Sequence, residues 1–175
     1  MTMGRNLTLY FAGGCFWGVE HAFRQLDGVL NTTVGYANGH IPNPTYSQVK
    51  HGDTGYRETV RVSFDPDIVS VRTLLEAFFI VVDVTQEDGQ GHDIGDQYRT
   101  GVYYPSDCDS DVIDELQGYF DTERQKHDTF YTELKRLENF HDAEDYHQDY
   151  LEKNPSGYCH VTMKQFRAVR ALNGR

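Results

Sequence analysis

The chain has 175 residues, enough for one domain with its own hydrophobic core. A formal net charge of −11 argues against nucleic acid and anionic membranes as partners, because both are held by clustered Lys and Arg. Three cysteines, Cys15, Cys108 and Cys159, are an odd number without CxxC spacing, so neither a closed disulfide framework nor a CxxC-type zinc or redox motif is expected.

In chain order, "LTLYFA" reads as a short β-rich strand ended by Gly13 and Gly14. The stretch ahead of the glycines is too short for a secretory h-region or a membrane span, and the later run "LLEAFFIVV" is broken by Glu76. A cytoplasmic location, where thiols stay reduced, is therefore expected. "CFWGVEHAFRQL" reads as a helix, with Phe16, Val19, Phe23 and Leu26 at helical spacing and Gly28 to close it. "LNTTVGYAN" suits a strand. "GHIPNPTYSQVKHGDTG" is a long loop with a helical turn at "TYSQVKHG", and loops of that length inside compact domains are often functional. "YRETVRVSFDP" alternates, with Thr59, Arg61 and Ser63 on one side and Val60, Val62 and Phe64 on the other, and Pro66 stops it. Ser70 can cap a helix "VRTLLEAFFIVV". A second glycine-bearing loop, "TQEDGQGHDIGDQYRT", leads to a short strand "GVYYP". An amphipathic helix then starts at Asp109 or Ser110, with Val112, Ile113, Leu116 and Phe120 on one face. "FYTELKRLE" returns as a strand, and "DAEDYHQDYLEKN" reads as a helix closed by Pro155. The remaining tail is weakly patterned, with a basic last stretch that suits a short helix. This order gives one α+β domain, helices packed on a mixed sheet.

Cys15 is the sharpest chemical signal. A thiol at the first turn of a helix, after two glycines, meets unpaired N–H groups and a partial positive charge, which favour the thiolate and lower its pKa. The alternative is a buried Cys packing as a small hydrophobe. Phe16 and Trp17 point about 100° apart on the helix, so one of them can face a pocket. Glu58 stands beside a glycine loop, where an apolar setting would raise its pKa and make it a proton donor; a solvent-facing strand Glu is the plainer reading. "GHDIGDQYR" supplies His92, Asp93, Tyr98 and Arg99 as a site loop. His141, Glu144 and His147 fall at i, i+3 and i+6, which sends the two histidines to diverging faces of a helix, so no metal is expected there. A cysteine hydrolase or acyl transferase using His92 and Asp93, or a non-catalytic binding module, remains open on these residues alone.

The blocks "GGCFWGVE", "NPTY", "TGYRETVRVSFDP", "DIGDQYRTGVYY" and "AEDYHQDYLEKNPSGYC", in this order, resemble the A-type peptide methionine sulfoxide reductases over about residues 7 to 159. The resemblance implies thiol-dependent reduction of the S epimer of methionine sulfoxide, free or in proteins. Cys15 then looks like the nucleophile and Glu58 the acid. Tyr46 and Tyr98 look like the hydroxyls that hold the sulfoxide oxygen, Asp93 a buried loop acid, and Phe16 and Trp17 the wall that receives the S-methyl group. A Cys15 sulfenic acid would be resolved by Cys159 to a disulfide, with thioredoxin as reductant and no metal or organic cofactor. The implied fold is a two-layer α/β sandwich of ferredoxin-like roll type, in one catalytic domain over residues 1–175 and a monomer, with 155–175 as a tail carrying Cys159. Cys108 has no counterpart in the family, and its acidic neighbours make it a bystander. Tyr56 and Arg57 beside the acid, Val82 and Val84, and His92 depart from the family's usual residues. Strand alternation sends Arg57 to the face opposite Glu58.

Overall fold

The computed structural model describes residues 5–174; residues 1–4 of the N-terminal stretch read above and Arg175 lie outside them. Six strands form one sheet in the order β7-β6-β1-β3-β2-β8. They are β1 (Leu7–Ala12), β2 (Val29–Ala37), β3 (Arg57–Phe64), β6 (Gly101–Tyr104), β7 (Glu133–Arg136) and β8 (Phe140–Asp142). The β6–β7 pair is parallel and the other pairs are antiparallel, so the sheet is mixed. Its central four strands, β6-β1-β3-β2, with α1 (Phe16–Phe23) after β1 and α3 (Val71–Val81) after β3, make the β-α-β-β-α-β core of a ferredoxin-like fold. The two strands left over, β4 (Gly89–Gln90) and β5 (Asp93–Ile94), form a small hairpin inside the second glycine loop.

Period-two patterning builds the core. Val60, Val62 and Phe64 of β3 are fully buried and face α1 and α3, while Arg61 and Ser63 lie half-buried on the other side. Thr59 points the same way as Arg61 yet is fully buried, its hydroxyl donating to Arg57 O at 2.9 Å. Between sheet and helices, Phe11 meets Phe23 at 4.3 Å and Phe78 at 5.6 Å between ring centroids. Each such side chain contributes roughly 1.5–3 kcal/mol on burial. Helix α3 starts where Ser70 accepts from Thr73 N at 3.0 Å. The turn expected after "NPT" is α2 (Tyr46–His51), fixed by a reciprocal Thr45–Gln48 capping box. Helix α4 (Ser110–Arg124) buries Leu116 and Phe120 and leaves Val112 and Ile113 half-buried.

Two expectations need correction. Residues 142–154 are not one helix: after β8 they form a single 3-10 turn, Asp145–His147, and a short α5 (Tyr150–Lys153). Asp149 between them has φ +56°, a left-handed conformation that no continuous helix admits. Gln148 causes the break, donating to Val34 O at 2.9 Å and Ala143 O at 3.1 Å and accepting from Val34 N at 2.9 Å. The basic last stretch does form the short helix expected of it. Thr162 and Gln165 make a second capping box at the start of α6 (Met163–Arg170), and Phe166, Val169 and Leu172 are buried in the main core. Helix α1 also ends early, at Arg24, so Gly28 shapes the turn into β2 with φ +93° and does not close the helix.

Candidate active site

Cys15 is the N-cap of α1, and Gly14 at φ +89° turns the chain from β1 into that position. A Cβ on Gly13 would lie 2.9 Å from Val82 Cγ1, and one on Gly14 would lie 2.8 Å from Gln90 Cβ, so the second glycine loop presses directly on the approach to Cys15. Gln90 holds that loop as a clip: it accepts from Asp83 N at 2.7 Å and donates to Asp83 O at 2.8 Å.

The carboxyl of Glu58 reaches the same helix start. Phe16 N–H donates to Glu58 Oε1 at 3.2 Å, and Trp17 N–H faces the Cys15 sulfur. The first two free amides of α1 are thus divided between an acid and a thiol. Glu58 is 2% exposed, and burial pushes its pKa up to about 8, with the Phe16 amide opposing and Asp93 adding. At neutral pH it is mainly a protonated acid. Arg57 points away, as alternation predicts, and pairs with Glu133 at 3.1 Å. Tyr56 is buried with its hydroxyl on Ile41 O.

The expected lowering of the Cys15 pKa is overturned. Cys15 is 6% exposed, and burial first, then the neighbouring Glu58, raise its pKa well above the ordinary thiol value; the Trp17 amide opposes them. The helix-terminus effect needs amides free to serve the thiolate and a site that is not desolvated. Here one amide is given to Glu58 and the sulfur is buried. The resting site is a neutral thiol beside a neutral acid.

Two phenols converge on that pair. Tyr46 opens α2 and Tyr98 ends the 3-10 turn Asp96–Tyr98; both are half-buried and both sense Glu58, Cys15 and Asp93. Burial, then Glu58, push Tyr46 up to about 12 and raise Tyr98 as well, so both stay protonated donors. Among the described residues neither hydroxyl has a hydrogen-bond partner within the protein. Phe16 is 1% exposed, its ring 5.2 Å from His147 and 5.8 Å from Tyr36. Trp17 is the more accessible of the two: half-buried, stacked on Tyr150 at 3.8 Å, and donating from Nε1 to His147 Nδ1 at 3.1 Å.

Asp93 is half-buried and accepts from Tyr158 Oη at 3.0 Å, tying the β4–β5 hairpin to the segment that carries Cys159. Cys159 itself is half-buried and unbonded to another cysteine, and its Sγ lies where a side chain on Gly18 would be, 2.9 Å from that Cβ position. Cys108 stands apart in a hollow lined by Arg5, Leu7, Pro105 and Asp109. His92 is exposed, Val82 covers Gly13, and Val84 is buried, so none of these departures removes a group from the site.

The sequence assigned no site role to His147, Glu144 or Gln90. His147 is 1% exposed, and burial lowers its pKa, so it is the neutral partner of Trp17. Glu144 accepts from Tyr36 Oη at 2.8 Å and from Tyr46 N at 3.1 Å, which anchors the α2 phenol. The i, i+3, i+6 spacing drew attention to both, but the helix assumed there concealed where they point. Among the described residues no group of three or more His, Cys, Asp or Glu is arranged to hold a metal ion.

Comparison with known proteins bears on this geometry. The family described as "Peptide methionine sulfoxide reductase" matches residues 7–173. The peptide methionine sulfoxide reductase MsrA of Clostridium acetobutylicum is 51% identical over 154 residues, which is 87% of this chain and 93% of that protein. The reduced form of Mxr1 from Saccharomyces cerevisiae superposes with a TM-score of 0.80 at 35% identity, covering 90% of this chain and 92% of the other. Mxr1 in complex with Trx2 gives a TM-score of 0.58 at 26% identity, over 83% and 85% of the two chains.

Proposed function

The chain belongs to the peptide methionine sulfoxide reductase family and is an enzyme of that activity, and from this premise we propose that Cys15 is the nucleophile, Glu58 its acid and Cys159 the resolving thiol in reduction of the S-sulfoxide epimer. The observation that carries the reading is the division of the α1 start between the thiol of Cys15 and the protonated carboxyl of Glu58, with two unpaired phenols beside them.

In the first step the Cys15 sulfur attacks the sulfoxide sulfur while Glu58 gives its proton to the oxygen and takes up the thiol proton. The attack forms an S–S bond between Cys15 and the substrate; the protonated oxygen then passes to the Cys15 sulfur as the substrate S–O bond and that S–S bond both break, so Cys15 becomes a sulfenic acid and methionine leaves, reduced by the two electrons that Cys15 loses. The sulfoxide oxygen gains basicity as the sulfur is attacked, so Glu58, Tyr46 and Tyr98 donate most strongly in the transition state. Methionine lacks that oxygen and would leave the donors unpaired, which favours its release. Phe16 and Trp17 receive the S-methyl group. Asp93 orders the loop by holding Tyr158. Cys159 then closes the Cys15–Cys159 disulfide.

A dithiol must reopen that disulfide by exchange. The solved complex of Mxr1 with Trx2 supports thioredoxin in this role. Substrates are oxidised proteins and free methionine sulfoxide, and the role is repair after oxidative damage. Reduced thiols are needed in the resting enzyme, which suits the cytoplasm, and no described helix is long and apolar enough to cross a membrane.

Separated sulfoxide epimers, assayed with thioredoxin and with dithiothreitol, test the assignment. Only the S epimer is expected to react. Cys15→Ser abolishes methionine formation, whereas Cys159→Ser releases one equivalent of methionine and then stops with thioredoxin. Full thioredoxin-driven turnover in Cys159→Ser would remove Cys159 from the resolving role.

A further inference from the structure

We propose that Gly18 is the seat of the resolving thiol: it leaves room for Cys159 to rest, in the reduced enzyme, on the same turn of α1 that Cys15 caps. The inference rests on Cys159 as the resolving residue and adds how it is delivered.

Gly18 sits in the first turn of α1, where glycine is the poorest helix former apart from proline. A Cβ there would fall 2.9 Å from Cys159 Sγ, closer than real Cβ contacts come, and 3.0 Å from Val161 Cγ2, tight enough that Val161 would have to give by a few tenths of an ångström. No residue larger than glycine fits while Cys159 stays where it is. An N-cap side chain lies over the amides of the second and third helical residues, here Trp17 and Gly18, and the Trp17 amide does face the Cys15 sulfur. Both sulfurs thus lie against the first turn of α1. A disulfide needs Cβ atoms about 3.5–4.5 Å apart, so closure calls for a local adjustment of residues already in place.

The neighbouring contacts hold the segment there. Tyr158 donates to Asp93 at 3.0 Å, His160 Nε2 meets Gly13 O at 2.9 Å, and Cys159 Sγ–H points at Val161 O at 3.3 Å. Val161 is buried, and α6 follows, fixed in the core by Phe166 and Val169. These anchors lie on both sides of Cys159: Tyr158 before it on the β4–β5 hairpin, and after it His160 on the nucleophile loop and Val161 in the hydrophobic core.

In the step itself the Cys159 sulfur attacks the Cys15 sulfur, the S–OH bond breaks, and hydroxide leaves as water with the Cys159 proton. One sulfur is oxidised and the other reduced, and no outside reagent enters. Gly18→Ala would force Cys159 off this path while leaving Cys15, Glu58 and both phenols in place.

The experiment is a single turnover of the reduced full-length protein with methionine S-sulfoxide and no reductant. Methionine and the disulfide are followed separately, and the sulfenic acid is trapped with dimedone. In Gly18→Ala one equivalent of methionine still forms, disulfide formation slows at least tenfold, and the dimedone adduct accumulates. Adding Val161→Ala relieves the second contact and is expected to leave the disulfide step slow. A wild-type disulfide rate in Gly18→Ala overturns the proposal, as does its recovery in the double variant or an equal loss in both steps. A disulfide that still forms at the wild-type rate in Cys159→Ser would instead sink the underlying reading. A further measurement needs no variant: hydrogen exchange over residues 157–170 should change little between reduced and oxidised wild-type protein, and wholesale loss of protection on oxidation would show that the segment must detach.

Discussion

Glu58 carries the most direct prediction at the scale of single residues. Its folded pKa of about 8 lies above the ordinary carboxyl value because it is buried, and in the proposed step the reactive form is this neutral acid paired with the neutral Cys15 thiol. Single-turnover methionine formation should hold steady between about pH 6 and 7 and fall as pH rises through about 8. Glu58→Gln should lose this alkaline limb and run roughly 10²–10⁴-fold slower. A profile that instead climbs through pH 8 would mean that a thiolate, not the neutral pair, is the attacking form. Tyr46→Phe and Tyr98→Phe should each slow the same step about tenfold or more, with KM less affected, because in the proposed step their hydroxyls serve the oxygen chiefly in the transition state. The roles proposed for these residues come from ordered motifs spread along the chain. The direction of the Cys15 pKa was not legible in them. Local sequence places a thiol at a helix start, but it cannot tell that Phe16 N–H will be spent on a residue 42 positions away or that the sulfur will be buried.

At the scale of elements, regular periods were read correctly wherever one pattern governed a segment. The alternation of β3 and the capped α3 are examples. The failure at residues 142–154 has a nameable cause. Helical propensity there is overridden by tertiary hydrogen bonds: Gln148 satisfies both backbone groups of Val34 on β2, and Glu20 accepts from Asp149 N at 2.8 Å. The broken path is what carries His147 and Tyr150 to the two sides of Trp17. Gln148→Ala removes three hydrogen bonds and should lower stability by about 2–3 kcal/mol in urea unfolding. Trp17 is the only tryptophan, so its emission should also shift in the folded variant, and KM for the sulfoxide should rise. Unchanged emission and KM alongside reduced stability would confine Gln148 to a structural role.

For the whole molecule, what a sequence shows least is which charged groups the fold removes from water. With 27 acidic side chains, Glu20 looks like one more surface carboxylate on an amphipathic helix. In the fold it is 2% exposed between α1, β2 and the Asp149 turn, accepting from Thr32 Oγ1 at 3.0 Å and from Asp149 N. Burial raises its pKa to about 7; the bonds from Thr32 and Asp149 N oppose this, the Asp149 charge adds to it, and Arg24 lowers it. The unfolded chain releases the Glu20 proton near pH ~4.3, while the folded chain holds it to about 7. Its contribution is therefore fully present below the unfolded pKa and is lost as pH rises through the folded one, on the order of 3 kcal/mol at most. Glu58 extends the same trend to about pH 8. The urea midpoint of the wild type should thus fall between about pH 5 and 8. Glu20→Gln keeps an acceptor for Asp149 N and a donor for Thr32, but it has no proton to lose. It should flatten the portion between about pH 5 and 7 while leaving the part that follows Glu58. A Glu20→Gln protein whose stability declined as steeply as the wild type over that range would show that Glu20 is ionised throughout, and that the Asp149 turn rests on a charged carboxylate.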